Sequence, residues 1–186
     1  MSFDTTQNTI KLGAKELRTT SSTEEEKKQL TKNPLYIICD NILDTYNTGS
    51  IFRLADAVAA TKVFLCGITE TPPNTRIKKA SINTTEWVDW EYCSSTVEAI
   101  EKVRREVPGV QIVLVEQDKR SVPFNTAEYT FPICLIVSNE TSGATQEVLD
   151  AADLIVEMPM FGVNKSLNVM VSLGIVLYQV IQKLPR

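Results

Sequence analysis

From about residue 34 to its end, the chain alternates short apolar runs with amphipathic stretches. Apolar runs of strand length stand at 35–39, 63–66, 110–115, 133–137 and 154–156, and an alternating run at 86–92 adds a further strand. Helical periodicity falls between these strands, at 47–60, 96–107, 146–152 and 166–184. Strands that alternate with helices predict a Rossmann-like α/β fold, with a mostly parallel sheet and helices on both faces.

Residues 1–33 differ in composition from the rest of the chain, because they are polar and charged and contain the run Glu25-Glu26-Lys27-Lys28. We interpret them as a polar N-terminal arm or a short helix, and we place the domain itself at 34–186. The first residues lack the basic-then-apolar pattern of a signal peptide. The charge-free part of the last helix, 166–181, is shorter than the roughly 20 apolar residues that a membrane span needs. We therefore expect a cytoplasmic protein without a membrane anchor.

The chain has no histidine, which removes the commonest general base, the usual zinc site and any Ser-His-Asp triad. The chemistry must use other groups, and no metal is predicted. The four cysteines, Cys39, Cys66, Cys93 and Cys134, lie in or beside strand-like runs and form no C-x-x-C pair. We expect them to be reduced core residues.

The net charge of −4 argues against broad electrostatic binding to nucleic acid. Any RNA contact must come from a local patch. Arg76, Lys78 and Lys79 form the densest basic cluster of the domain. That cluster is either an RNA-contacting surface or a solvated loop.

Three polar loops follow predicted strands, at 115–117, 138–143 and 158–168. Because ligands of open parallel sheets bind beyond the carboxyl ends of the strands, we expect these loops to converge on one pocket. Small residues there let a ligand approach the backbone, which can then read an adenine ring. The chain lacks G-x-x-x-x-G-K-[ST] and G-x-G-x-x-G, so a phosphate-cradling nucleotide site is not expected.

Three polar residues in or near the predicted loops and helix starts are candidates for chemistry. Arg53 interrupts an apolar helical run and is either a surface partner of Asp56 or a functional group. Three roles are open for Glu140: a solvated carboxylate, a charge partner of Arg53, or an acceptor of hydrogen bonds from a neighbouring loop. Asn168, placed one turn into an apolar helix, needs partners if buried, so it ties loops together or contacts a ligand.

Three motifs stand in order along the chain. The first, N-x-G-x-x-x-R-x-A, comprises Asn47, Gly49, Arg53 and Ala55. The second comprises Ser138, Glu140, Gly143, Pro159, Met160 and Gly162. The third, S-L-N-V, comprises Ser166, Leu167, Asn168 and Val169. In these motifs, residues 34–180 resemble the SpoU/TrmH branch of the SPOUT superfamily, RNA ribose 2′-O-methyltransferases that use S-adenosylmethionine. Ser138 departs from the family pattern, which has glycine there, and Asn83 also stands where relatives often have glycine.

The resemblance implies a C-terminal deep trefoil knot, a homodimer formed through the knot region and the last helix, and S-adenosylmethionine as cofactor. It implies catalytic roles for Arg53, Asn47, Glu140, Ser166 and Asn168. It implies cofactor contacts by Val115, Glu116, Val137, Ser138, Asn139, Gly143, Met158, Met160, Ser166 and Leu167. RNA contacts are expected from Arg53, Arg76, Lys78 and Lys79.

The function that these observations favour is methyl transfer to a ribose 2′-OH of structured RNA, with tRNA favoured over rRNA. A free guanidinium is a poor base at neutral pH. Arg53 therefore either loses its proton in a special environment or clamps a phosphate and stabilises the developing alkoxide, with Asn47 and Glu140 orienting it. The alternative is a SPOUT-fold module that binds or assembles RNA and has lost methyl transfer through Ser138.

Overall fold

The computed structural model describes residues 13–17, 23, 25 and 30–184. In this part of the chain the strands are β1 (Asn33–Asp40), β2 (Ala60–Cys66), β3 (Trp90–Cys93), β4 (Gln111–Val115), β5 (Val122–Pro123), β6 (Ile133–Ser138) and β7 (Leu154–Glu157). The helices are α1 (Ala14–Leu17), α2 (Thr45–Ala57), α3 (Thr75–Ser81), α4 (Thr96–Glu106), α5 (Gln146–Ala151) and α6 (Val169–Ile181). The seven strands form one sheet in the order β3-β2-β1-β6-β4-β7-β5, and every described pairing is parallel. The predicted α/β fold with a parallel sheet is confirmed.

Two apolar layers cover the two faces of the sheet. On one face, α2, α3 and α6 pack with side chains such as Phe52, Ile77 and Leu177 against the strands. On the other face, α4 and α5 pack with side chains such as Ile100 and Val148. Burial on both faces explains why the central strands read as continuous apolar runs in the sequence.

The strand order places the later strand β6 between the earlier strands β1 and β4. Cys39 pairs with Val137, and Asp40 pairs with Ser138, so β1 and β6 end at the same level. After β1 the chain continues into α2 on one face of the sheet, and after β6 it continues into α5 on the other face. Open parallel sheets bind ligands at such a point. The trefoil knot implied by the family resemblance stays a prediction.

Two helix starts differ from the sequence prediction. Helix α2 begins at Thr45 rather than Asn47, because the Asp44 carboxylate accepts a hydrogen bond from Tyr46 N–H at 2.8 Å and caps the helix. The helix ends at Ala57 rather than near Ala60, where Ala59 adopts a left-handed φ of 48°. The last helix, α6, begins after Asn168, its N-cap, and ends at Ile181, so its predicted range of 166–184 was too long.

Between β2 and β3 the sequence prediction missed a helix and placed the strand too early. The basic residues Arg76, Lys78 and Lys79 belong to helix α3, which is capped by Asn74, whose Oδ1 accepts hydrogen bonds from two backbone N–H groups. The predicted strand over 86–92 contracts to β3, preceded by a 3-10 turn at Thr84–Glu86. The short strand β5 had no signal in the sequence.

The prediction for the cysteines is confirmed, since all four are free and buried. Burial raises the pKa of the thiols of Cys39, Cys66 and Cys134 well above their ordinary value, so these groups stay protonated. Across the described residues, no helix has the length and apolar character needed to cross a membrane. The predicted N-terminal arm lies mostly outside the described residues.

Gly49 lets helix α2 approach helix α3 closely. A Cβ atom added at Gly49 would lie 2.7 Å from both Ala80 Cβ and Ile77 O, which is closer than real Cβ atoms come to such neighbours. Glycine in the middle of a helix costs about 1 kcal/mol relative to alanine. The close approach of α3 explains why glycine occupies this position.

We expect Gly49→Ala to lower the free energy of unfolding by about 1–3 kcal/mol, because α3 must move away from α2. Gly174→Ala is the matched control, since a Cβ there would meet only Leu54 side-chain carbons, at 3.4 Å and beyond. It should be neutral or stabilise the protein by up to about 1 kcal/mol. Urea denaturation measures both, and equal stability changes in the two variants would contradict the packing argument.

Candidate active site

A cavity of about 610 Å³ opens at the carboxyl end of the sheet, among the three loops that the sequence singled out. All ten residues predicted to contact the cofactor line it: Val115, Glu116, Val137, Ser138, Asn139, Gly143, Met158, Met160, Ser166 and Leu167. Glu140 and Asn168, two of the predicted catalytic residues, line it as well. The predicted convergence of the three loops is confirmed.

The loop after β6 is held by the side chain of Asn139. Its Oδ1 accepts hydrogen bonds from Thr141 N–H and Ser142 N–H, both at 2.9 Å. Its Nδ2 donates to the carbonyl of Asn41 at 2.8 Å, which ties this loop to the end of β1. The backbone carbonyl of Asn139 accepts from Gly143 N–H at 3.0 Å and closes the loop.

Gly143 joins this loop to the loop after β4. Its φ of 66° is left-handed, and a Cβ atom there would lie 2.8 Å from Glu116 Oε2. The same Oε2 accepts a hydrogen bond from Ala144 N–H at 3.1 Å, while Oε1 accepts from Gln117 N–H at 2.9 Å. Glycine therefore allows the Glu116 carboxylate to approach the backbone of the neighbouring loop.

Glu140 is the centre of a hydrogen-bond network that we call the Glu140 network, formed with Leu43, Asp44, Asn47 and Asn168. The carboxylate accepts from Leu43 N–H at 2.9 Å, from Asp44 N–H at 3.2 Å and from Asn47 Nδ2 at 2.8 Å. Asn47 Oδ1 accepts in turn from Asn168 Nδ2 at 3.0 Å. Of the alternatives for Glu140, hydrogen bonding to a neighbouring loop is therefore the one that the geometry supports.

The Glu140 network changes the interpretation of Asn168. This residue is the N-cap of α6, and its Oδ1 accepts a hydrogen bond from Met170 N–H at 2.9 Å. The residue is exposed rather than buried. Its amide still ties the start of α6 to Asn47, which is itself buried. The prediction that Asn168 joins loops is confirmed, while the prediction that it lies one turn into the helix was wrong.

The pKa of Glu140 is held below its ordinary value. Partial burial would raise this pKa, but the hydrogen bonds from Leu43 N–H, the Asn47 amide and the N–H groups of Glu140 itself and Asp44 outweigh it. The carboxylate is therefore ionised at neutral pH and serves as an acceptor.

Arg53 lies outside the residues that line the cavity. It is exposed on α2, and within the described part of the chain it forms no hydrogen bond or ion pair. The predicted alternative, a surface pair with Asp56, is not formed, since the Asp56 carboxylate accepts from Trp87 Nε1 at 2.7 Å. Asn47 and Glu140 bond to each other and to the neighbouring segments rather than to Arg53.

The basic residues of α3 are also outside the cavity. Arg76, Lys78 and Lys79 are exposed on this helix, and Lys78 lies 3.6 Å from the carboxylate of Glu86. Because α3 packs on α2, the basic residues and Arg53 belong to two adjacent helices on one face of the sheet.

Further cavity residues lie in the same loops, at the end of β7 and at the start of α6, namely Gln117, Thr141, Ser142, Val156, Glu157, Asn164, Lys165, Val169 and Ser172. Gln117 is the most informative of them, because its Nε2 donates to the carbonyl of Lys165 and joins the first loop to the third. Its position directly after a strand and beside Glu116 was the signal available in the sequence.

We expect Glu140→Gln to lower the free energy of unfolding by about 1 kcal/mol at neutral pH. The side-chain amide places an NH₂ group where a carboxylate oxygen accepts a hydrogen bond from a backbone N–H. A depressed pKa contributes stability above the ordinary pKa of 4.5, and that contribution is lost as the pH falls through the folded-state value. The difference between wild type and variant should therefore shrink on acidification below about pH 4.5. Urea denaturation at several pH values measures it.

Glu70→Gln is the matched control, because Glu70 is an exposed loop carboxylate. Its stability difference from wild type should be small at every pH. A difference for Glu140→Gln that does not change between neutral and acidic pH would contradict the role given to the charge.

Comparisons with known proteins agree with the fold. Residues 34–178 match the sequence model of the SpoU rRNA Methylase family. The chain is 32% identical over 160 residues to the tRNA (guanosine(18)-2'-O)-methyltransferase of Aquifex aeolicus, which covers 83% of this chain and 70% of that protein. It is 28% identical over 152 residues to the enzyme of the same name from Escherichia coli, covering 80% of this chain and 63% of that protein.

A solved structure gives the same result. The AdoMet-bound rRNA methyltransferase from Sinorhizobium meliloti superposes with a TM-score of 0.75 and 26% identity, covering 91% of this chain and 61% of that one. This chain thus spans about two thirds of the length of the relatives that it matches. The extent of the family match shows that the chain belongs to the SpoU rRNA Methylase family.

Proposed function

We propose that this protein transfers a methyl group from S-adenosylmethionine to a ribose 2′-OH of structured RNA, with tRNA as the favoured substrate over rRNA. The observation that carries the proposal is the cavity at the carboxyl end of the sheet, because every predicted cofactor-contacting residue lines it in a chain of this family. The tRNA preference rests on the Aquifex and Escherichia relatives, which are named as tRNA methyltransferases. A cytoplasmic location is part of the same proposal.

The cavity fits the cofactor on two observations. Its volume of about 610 Å³ lies within the range of roughly 300–1,000 Å³ that small-molecule sites occupy. Ser138, which lines the cavity, carries a buried hydroxyl that has no hydrogen-bond partner among the described residues. The Sinorhizobium relative is named as AdoMet-bound, which supports the assignment. When bound, S-adenosylmethionine would supply a methyl group whose bond to sulfur breaks as the bond to the ribose oxygen forms.

Arg53 is assigned to the RNA side of the reaction. Its guanidinium is exposed and has no described carboxylate partner, so it is available to an anion. Since a guanidinium is a poor base and a good phosphate ligand, we favour phosphate binding by Arg53 over its action as a general base. Arg53 would hold the phosphate next to the target ribose and stabilise the developing alkoxide, and the hydroxyl proton would leave to solvent. Much of the rate enhancement would then come from alignment.

The Glu140 network would set the geometry of this site. It fixes the start of α2, which carries Arg53, against the start of α6, where Ser166 and Asn168 line the cavity. Asn47, Glu140 and Asn168 are therefore positioning residues, and Ser166 would contact the cofactor or the ribose. Arg76, Lys78 and Lys79 would hold the RNA backbone beside Arg53, since they lie exposed on the helix that packs on α2.

The alternative function is an RNA-binding or assembly module without methyl transfer. It gains no support from the relatives named above, which are named as methyltransferases. Polar residues from three loops also line the cavity. We therefore retain the enzyme as the proposed function.

Helix α6 supports the proposed homodimer. Val171, Ile175 and Tyr178 are 40%, 39% and 50% exposed and stand at helical spacing on one stripe, although the helix packs its opposite side into the core. An exposed apolar stripe of this kind is typical of a subunit interface. A second copy of the chain is the partner that the family resemblance implies.

We expect the wild-type protein to transfer labelled methyl groups to tRNA from a strain that lacks this gene, and Arg53→Ala to reduce the rate roughly 100-fold or more. Cofactor affinity, measured by calorimetry, should be unchanged in the variant, because Arg53 lies outside the cavity. Arg53→Lys keeps the charge but loses the planar fork, so it should recover only part of the rate.

Arg105→Ala is the matched control, since Arg105 is an exposed arginine on α4, which packs on the opposite face of the sheet. It should keep the wild-type rate. Retained transfer in Arg53→Ala would remove Arg53 from the mechanism. Transfer by the wild type to rRNA and not to tRNA would contradict the favoured substrate.

We expect the wild-type protein to sediment as a dimer at micromolar concentration and Ile175→Glu to sediment as a monomer, because a charge on the exposed stripe of α6 opposes association. Ile68→Glu is the control, since Ile68 is 64% exposed on the loop after β2. It should remain dimeric. A dimer that persists in Ile175→Glu would show that another surface forms the interface.

A further inference from the structure

We propose that the hydroxyl of Ser138 donates a hydrogen bond to the bound cofactor, so that this residue strengthens cofactor binding rather than obstructing it. The inference rests on the proposed function. It concerns a position where the family resemblance implies glycine, so the contact belongs to this chain.

Ser138 lies where a ligand of this fold would be held. It is the last residue of β6, beside the end of β1, and it lines the cavity. It shares the face of the sheet that Cys134 and Ile136 occupy, because alternate residues of a strand point to the same side. The residue is 6% exposed, so its hydroxyl cannot rely on bulk water.

The hydroxyl of Ser138 is buried and has no hydrogen-bond partner among the described residues. A buried hydroxyl without a partner is unfavourable, and native structures contain few of them. Such a group on a residue that lines a ligand cavity indicates a partner that arrives with the ligand.

The polar side chains around Ser138 are already hydrogen-bonded elsewhere. The Oδ1 atom of Asp40, the register partner of Ser138 on β1, accepts from Thr96 Oγ1 at 2.5 Å and from Asn41 Nδ2 at 2.8 Å. No hydrogen bond joins Asp40 to Ser138 in the described structure. The serine hydroxyl is therefore unpaired even beside a carboxylate.

The other polar groups of the cavity wall near the end of β6 are committed as well. Asn139 uses its side chain to hold its own loop and the carbonyl of Asn41. Glu140 belongs to the Glu140 network, and Glu116 accepts from Gln117 N–H and Ala144 N–H. The acceptors of S-adenosylmethionine, its carboxylate, ribose oxygens and ring nitrogens, are then the natural partners of Ser138.

This interpretation predicts two effects of opposite sign for Ser138→Ala. Without ligand, the variant should unfold at a temperature about 2–4 °C higher, because it removes a buried group that lacks a partner. Its affinity for S-adenosylhomocysteine should fall roughly tenfold, which corresponds to one hydrogen bond of ordinary strength. Ser138→Gly should show the same loss of affinity.

Thermal unfolding of the ligand-free protein and calorimetric titration with S-adenosylhomocysteine test the inference. Ser81→Ala is the matched control, because Ser81 is fully buried and its hydroxyl donates to the carbonyl of Lys78 at 3.2 Å. It should lower the unfolding temperature and leave the affinity unchanged.

The outcomes separate this inference from the proposed function. Binding by the wild type with equal or tighter binding by Ser138→Ala and Ser138→Gly would overturn the inference alone. A lower unfolding temperature in Ser138→Ala would also overturn it, because the hydroxyl would then have a partner within the protein. Failure of the wild type to bind either S-adenosylmethionine or S-adenosylhomocysteine would overturn the proposed function and this inference together.

Discussion

The carboxylate of Glu140 is the constraint on which the shape of the site depends. It connects the loop after β6 to the loop after β1 and, through Asn47 and Asn168, to the first turns of α2 and α6. These segments are distant in the sequence, and the apolar packing that also joins them is not directional. Because its hydrogen bonds keep the carboxylate ionised, this one charge orders three chain segments around the cavity.

This arrangement divides the polar residues of the site into two groups. Asn47, Asn139, Glu116 and Glu140 use their hydrogen-bonding capacity to hold loops together, and so define where a ligand can lie. Arg53 and Ser138 keep capacity that the described structure does not use. Unused capacity in a buried polar side chain such as Ser138 is informative, because folding alone gives no reason to keep it. The first group therefore shapes the site, and the second is where RNA and cofactor would add contacts.

The sequence predicted the features that geometry imposes on many residues at once. Strands buried on both faces must be apolar throughout, and parallel strands must end at one edge, so the sheet and the convergence of the three loops followed from the pattern. Features that depend on one side chain were missed. Asp44 rather than Asn47 caps α2, because Asn47 is engaged by Glu140 from another loop. Helix α3 presents exposed basic residues, so its short sequence resembles a solvated loop.

The two positions where the family resemblance implies glycine carry asparagine and serine in this chain. Asn83 retains the left-handed conformation, with a φ of 65°, which asparagine tolerates better than most residues. Ile82 beside it has a φ of 53° although it is β-branched, and its burial in the protein holds that strained conformation. Ser138 lies in a regular strand, where any residue fits the backbone, so replacing glycine there costs little strain. What the serine adds is a buried hydroxyl, and a buried hydroxyl is retained at low cost only if something bonds to it.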